Sequence, residues 1–288
     1  MIISFVISLS LLLLSGYSNP ITNEVKINNV IVTKEYSLLK KSKMKLKNPD
    51  LKIKLSKDLK EISGLTALPK NQLAAIQDEK GTLFIIDIPS GEISNEIKFN
   101  KKGDYEGLCS IDGIIYIIDS AGDITQVNLE SEESTTFSTK LNHKNNVEGL
   151  CVHPNGKELL FALKGNSELN DNSKKFSSIF SYNLNTNSIN PEPFIKIYSN
   201  DIEDEFDVKI KQEFSPSGIC YWKSKYYILS HQSCALVVYS EEKELIDYIE
   251  LDRKLFPQPE GICVANDMLY ICNEGRKKSA TILGFKLE

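Results

Sequence analysis

The sequence predicts an all-β chain folded as a five-bladed β-propeller, and three observations lead there. A short phrase recurs five times: Ile62-Ser63-Gly64-Leu65-Thr66, Tyr105-Glu106-Gly107-Leu108-Cys109, Val147-Glu148-Gly149-Leu150-Cys151, Pro216-Ser217-Gly218-Ile219-Cys220 and Pro259-Glu260-Gly261-Ile262-Cys263. With the residue before each glycine as the marker, the copies stand 43, 42, 69 and 43 residues apart. Repeats of about 40–45 residues that hold several short strands are the pattern of propeller blades. Each copy also leads into β-branched and aromatic runs bounded by turn residues, and no long stretch carries helical periodicity.

Taken in order, the chain opens on an apolar run at residues 2–14, followed by Ser15-Gly16-Tyr17-Ser18-Asn19-Pro20. The run is short for a membrane span, which needs about 20 residues. It fits the apolar region of an export signal covering residues 1–18, with Gly16 and Ser18 as the small residues of a cleavage site. An uncleaved N-terminal anchor is the alternative, and would be the chain's one contact with a membrane. Leu14-Ser15-Gly16 begins like a lipobox, but Tyr17 stands where the lipid-bearing cysteine would be. Residues 19–50 read as a polar tether and a first strand, and residues 51–288 as a single propeller domain.

Leu51-Lys52-Ile53-Lys54-Leu55 alternates apolar and polar, as a half-buried strand does. Pairing with Thr281-Ile282-Leu283-Gly284-Phe285 would close the ring and remove two exposed sheet edges. Strands are expected at residues 83–88, 114–118, 226–229 and 268–272, with turns at Pro89-Ser90-Gly91, Asp112-Gly113 and Pro154-Asn155-Gly156. The 69-residue spacing is short for two blades, so it holds one blade and an insertion, with six blades as the alternative. Residues 164–175 and 201–207 are the insertion candidates. The second is acidic but lacks the glycine and terminal glutamate of an EF-hand loop, and reads as a solvated loop.

Composition narrows the function classes. A net charge of −5, with no basic block interleaved with aromatics, argues against nucleic acid. Cys109, Cys151, Cys220 and Cys263 share one repeat position with Thr66. A slot filled by Cys or Thr is a small core position, so disulfide or metal duty is not expected there.

The succession Gln77-Asp78-Glu79-Lys80-Gly81, Lys102-Gly103-Asp104-Tyr105-Glu106-Gly107, Asn146-Val147-Glu148-Gly149-Leu150, Phe214-Ser215-Pro216-Ser217-Gly218-Ile219 and Phe256-Pro257-Gln258-Pro259-Glu260-Gly261-Ile262 resembles the SdiA-regulated family of exported bacterial proteins. The resemblance spans residues 51–288. It implies a five-bladed propeller, distantly similar to NHL-repeat propellers, a bound calcium ion, and a periplasmic or cell-envelope location. It implies no activity.

The marker position carries the functional reading. Innermost strands line a propeller's axis, so Glu106, Glu148 and Glu260 should gather at one end of it with Ser63 and Ser217. Two carboxylates ~5 Å apart at an effective dielectric near 20 repel by about 3 kcal/mol, so something must relieve the ring. Ca²⁺, which takes oxygen ligands from carboxylates and hydroxyls, is one answer. Backbone hydrogen bonds with Lys164 as balancing charge are the other. The residues alone leave both open, and the resemblance favours the ion. Asp78, Asp119 and Glu274 follow at strand ends as candidate ligands or outer contacts. The expected function is therefore a calcium-binding, monomeric interaction module for an unknown small molecule or envelope protein. The alternative is a metal-dependent hydrolase of an ester, lactone or phosphoester with Asp78, His231 or Glu274 as base; no catalytic residue is assigned.

Overall fold

Short apolar runs form strands here because the residues between them reverse the chain at once. Asp112 and Gly113 both take positive φ (48° and 82°), the conformation of a tight hairpin turn, and join Tyr105–Ile111 to Ile114–Asp119. Gly91 and Gly156 turn the chain in the same left-handed region, at φ 72° and 65°. Each run therefore pairs with its neighbour in sequence.

The computed structural model describes residues 22–27, 30–35, 44–165, 169 and 176–287. The expected export signal at residues 1–18 lies outside them. Thr22–Ile27 and Val30–Glu35 form an antiparallel hairpin outside the unit of residues 41–288.

Within that unit five antiparallel sheets follow one another as the blades of a propeller. Blade 1 runs Ile62–Leu68, Gln72–Gln77, Thr82–Asp87, Ile93–Lys98 from inside to outside, and blade 2 runs Tyr105–Ile111, Ile114–Asp119, Ile124–Asn128, Ser134–Phe137. Blade 3 comprises Val147–Val152, Glu158–Leu163 and Ser177–Asn183, whose outer edge is shared by Ser188–Ile189 and Ile195–Ile197. Blade 4 is Gly218–Trp222, Lys225–Ser230, Ala235–Ser240 and Leu245–Glu250. Blade 5 takes Pro259–Ala265, Met268–Asn273 and Thr281–Lys286 from the C-terminus and completes itself with Leu51–Lys54. In that closure Ile53 faces Ile282, as the alternation in residues 51–55 predicts.

The 69-residue spacing holds one blade, and no sixth blade occurs among the described residues. The acidic stretch at residues 201–207 is not the solvated loop expected of it. Ser199–Phe206 is an α-helix, because Ile202 and Phe206 stand four residues apart on one face and both are buried. They pack with Ile197 and Tyr239, and the Phe206 ring lies 6.1 Å from that of Tyr248. The other insertion candidate falls largely outside the described residues.

The core is divided among the interfaces between blades. Leu108 packs with Ala74 and Ile76 of blade 1, while Cys109, on the opposite face of the same strand, packs with Leu150 and Phe161 of blade 3. Cys151, Cys220 and Cys263 occupy the matching place at the next three interfaces. All six cysteines are free and buried.

At the axis the five repeat glycines bring neighbouring backbones into contact. A Cβ on Gly107 would lie 2.7 Å from Leu150 N, one on Gly149 3.0 Å from Gly218 Cα, and one on Gly218 2.5 Å from Glu260 O. A Cβ on Gly261 would come within 2.8 Å of Leu65 N, and one on Gly64 within 2.9 Å of Leu108 Cδ2. The contact passes around the whole ring, and at four of its five steps the obstacle is backbone. Gly107→Ala should therefore destabilise the protein by about 2 kcal/mol or more, the cost of overpacking a contact that cannot yield. Urea unfolding checks this, and a loss below about 0.5 kcal/mol would show that the blades shift to accept the methyl group.

Candidate functional site

Strand geometry alone would alternate the inner-strand side chains between the two blade faces. The marker residues escape this alternation. In four blades the ladder register shifts at them, between Ile62 and Gly64, Tyr105 and Gly107, Val147 and Gly149, and Pro259 and Ile262. Such bulges re-aim a side chain. As a result Ser63, Glu106, Glu148 and Ser217 border one small cavity at the start of the inner strands. Glu260 is joined to them electrostatically, since its charge acts on both Glu106 and Glu148. Four of the five marker positions thus border one space, and Glu260 acts on it through its charge.

Two of the three glutamates have partners. Lys164 Nζ lies 3.0 Å from Glu148 Oε1, and Asn146 Nδ2 donates to the same oxygen at 2.7 Å. Lys164 is placed by its backbone, whose N–H donates to Asn146 O at 2.9 Å directly after the strand Glu158–Leu163. His231 Nδ1 stands 3.3 Å from Glu260 Oε1, and the His231 N–H donates to Ser217 Oγ at 3.2 Å. Both serine hydroxyls reach across to the following blade: Ser63 Oγ donates to Tyr105 O at 2.6 Å and Ser217 Oγ to Pro259 O at 2.8 Å. The balancing lysine was legible in the sequence. Asn146 and His231 were not assigned to these carboxylates: Asn146 is a local partner two residues before Glu148, and only the topology brings His231 to Glu260.

Glu106 is the exception. Burial first, then the negative charges of Glu148, Asp104 and Glu260, push its carboxyl up to about 9, against the lone opposing pull of Lys164. Burial also pushes Glu148 upward against the attraction of Lys164. For Lys164 burial works downward, but Glu148 outweighs it and holds the ammonium above its ordinary value. At neutral pH the ring therefore contains a charged lysine beside Glu148 and a Glu106 that keeps its proton.

The outer candidates divide. Asp78 and Glu274 form a second acidic group between blades 1 and 5. Burial and then Glu61 raise Asp78 to about 6, and its buried Oδ1 has no hydrogen-bond partner. Glu274 accepts from Gln258 Nε2 and is raised by burial and then by Glu260. Asp119 stays apart from both. It accepts the Asp123 N–H at 2.9 Å within its own turn, which is ordinary turn chemistry.

The donors present do not compose a calcium sphere as they stand. Among the described residues no three His, Cys, Asp or Glu side chains are grouped to hold a metal ion. Glu148 is engaged by Lys164, both serine hydroxyls bond to backbone, and the enclosed space is about 10 Å³, room for one water-sized occupant. The cysteines offer no nucleophile, since burial pushes Cys151 up to about 12 and Cys109 well above its ordinary value.

Glu106 sets the pH dependence. A carboxyl whose folded value lies above its unfolded one, 4.5, stabilises fully at low pH, and that contribution is lost as pH rises toward about 9. Glu106→Gln should therefore raise stability at pH 8 by about 1–3 kcal/mol while changing little at pH 4. Equal effects at both pH values, read by urea unfolding, would contradict this.

No protein-family model matches this sequence, and no curated protein does. Solved structures are similar to it in fold at low identity. A chain of the nidogen/laminin complex is 14% identical with a TM-score of 0.49, covering 74% of this chain and 72% of that one. Luciferin-regenerating enzyme is 14% identical with a TM-score of 0.47, over 78% and 77% of the two chains. A chain of Kuenenia stuttgartiensis hydrazine synthase is 9% identical with a TM-score of 0.48, over 81% and 98%.

Proposed function

We propose that this chain is an exported binding module of the cell envelope and that the acidic end of its axis responds to cations. The observation that carries the reading is the charge balance at this end of the axis: Glu106 and Glu148 border one water-sized space, the charge of Glu260 acts on both, and the ammonium of Lys164 opposes them. A ring with that imbalance keeps a proton on Glu106, because among the described residues Lys164 alone supplies an ammonium that opposes it. A cation that enters is stabilised by the same carboxylates once Glu106 ionises. Calcium belongs to this reading in a restricted form, in which it takes the place of Lys164 Nζ beside Glu148. Interaction with a small molecule or an envelope protein follows from the fold class, since propellers present loops and axial depressions as binding surfaces. Export rests on the apolar run at residues 2–14 and the small residues Gly16 and Ser18.

Replacing the lysine separates the two occupants. Lys164→Gln should melt lower than the parent at pH 8 and recover with millimolar Ca²⁺, by about 4 °C or more. The parent should shift less, because the ion must first displace the ammonium. Absence of any calcium shift in both proteins would remove the cation from the account. For export, the mature chain recovered from the envelope fraction should begin at Asn19 by intact mass, and a full-length chain in the cytoplasm would contradict it.

A further inference from the structure

The axis has a second end, and its chemistry is opposite. Beyond the glycine ring Leu65, Leu108, Leu150, Ile219 and Ile262 border both the acidic cavity and a much larger one of about 530 Å³, so they form the partition between the two. Past the partition the walls are made by the small Cys/Thr slot of each inner strand, and then by strand-end residues such as Ala67, Ser110 and Val264. No Asp, Glu, Lys or Arg is among the described residues that line it. The thiols add no charge, because burial holds Cys109, Cys151, Cys220 and Cys263 above their ordinary values.

We propose that this cavity is a binding site for a small, uncharged, mainly apolar molecule that carries one hydrogen-bond acceptor. Its volume falls within the ~300–1,000 Å³ of small-molecule sites. An ionic ligand would meet no Asp, Glu, Lys or Arg as a counter-charge on these walls and would give up hydration on the walled side for little return. The walls are not featureless. His153 and Tyr221 border the cavity from blades 3 and 4, whereas blade 1 contributes Leu65, Thr66 and Ala67. The Asn155 N–H donates to His153 Nδ1 at 3.2 Å, so the neutral imidazole carries its proton on Nε2, as a donor. The His153 ring is steadied edge-on by Phe194, 5.2 Å away, and Tyr221 packs on Tyr226 at 5.0 Å. One side of the cavity is thus aromatic with a donor, and the other is small and aliphatic. A flat neutral molecule with its acceptor toward His153 matches that asymmetry. The site is independent of the cation reading, since the Leu/Ile partition lies between them.

The probe is N-phenylnaphthylamine, neutral and fluorescent in apolar surroundings, compared with the anionic anilinonaphthalene sulfonate. Saturable binding of one neutral probe per chain is expected, with the sulfonate weaker by about tenfold or more. Val264→Phe and Ala67→Phe, which narrow the cavity from two blades, should each weaken the neutral probe by about tenfold, while Glu130→Gln, at an exposed position outside both cavities, leaves it unchanged. If either narrowing variant fails to fold, the parent still decides. At saturation the bound probe should then shift the side-chain NMR resonances of His153 and Tyr221, which border the cavity. No saturable binding, equal affinity for the sulfonate, folded narrowing variants that bind as the parent does, or unshifted His153 and Tyr221 resonances would each overturn the proposal.

Discussion

Backbone-to-backbone contact at the five repeat glycines is the constraint on which the rest of this molecule depends. Five blades leave a narrow axis, and inner strands meet there only where neither carries a Cβ. The 2.7 Å from a notional Gly107 Cβ to Leu150 N measures how little slack there is. Because each glycine abuts the next blade, the ring behaves as one object. The residue before the glycine cannot continue the strand's alternation and is bulged toward the axis in four of five blades. The residue after it is forced to be a branched aliphatic that seals the axis. One position of close approach thereby creates both an acidic end and an apolar one.

The acidic end shows how unequal blades share one ring. Ser63 and Ser217 settle their blades by bonding to the following backbone at 2.6 and 2.8 Å. Where glutamate stands instead, the carboxylate finds a partner at the end of a second strand: Lys164 in the same blade for Glu148, and His231 in the preceding blade for Glu260. Glu106 is left to burial and three negative neighbours, and it answers by keeping its proton. The tension is placed where an added positive charge would relieve it.

Much of this was legible in the chain and some of it was not, for physical reasons. Blade number and ring closure follow from spacing and from the alternation at residues 51–55, both of which survive in a linear reading. So does Lys164 as a balancing charge. The bulges were invisible, because a register shift depends on the partner strand and leaves no mark in composition. His231 was missed as a partner because blade 4 brings it to Glu260 of blade 5, whereas Asn146 reaches Glu148 from only two residues away and was simply not read as its donor. The helix Ser199–Phe206 was hidden by its own acidity: only two buried residues, Ile202 and Phe206, declare its inner face. The Cys/Thr slot was correctly read as core, yet that it also borders a cavity of about 530 Å³ follows only from closing the ring.

The central claim is that convergence around the glycine ring desolvates one glutamate and surrounds it with like charge. The direct measurement is an NMR titration of the Glu106 carboxyl, assigned by comparison with Glu106→Gln. Half-titration near 9, well apart from the surface glutamates, is the predicted result. A Glu106 carboxyl that titrates with the surface glutamates near its ordinary 4.5 would mean that the ring does not close as described.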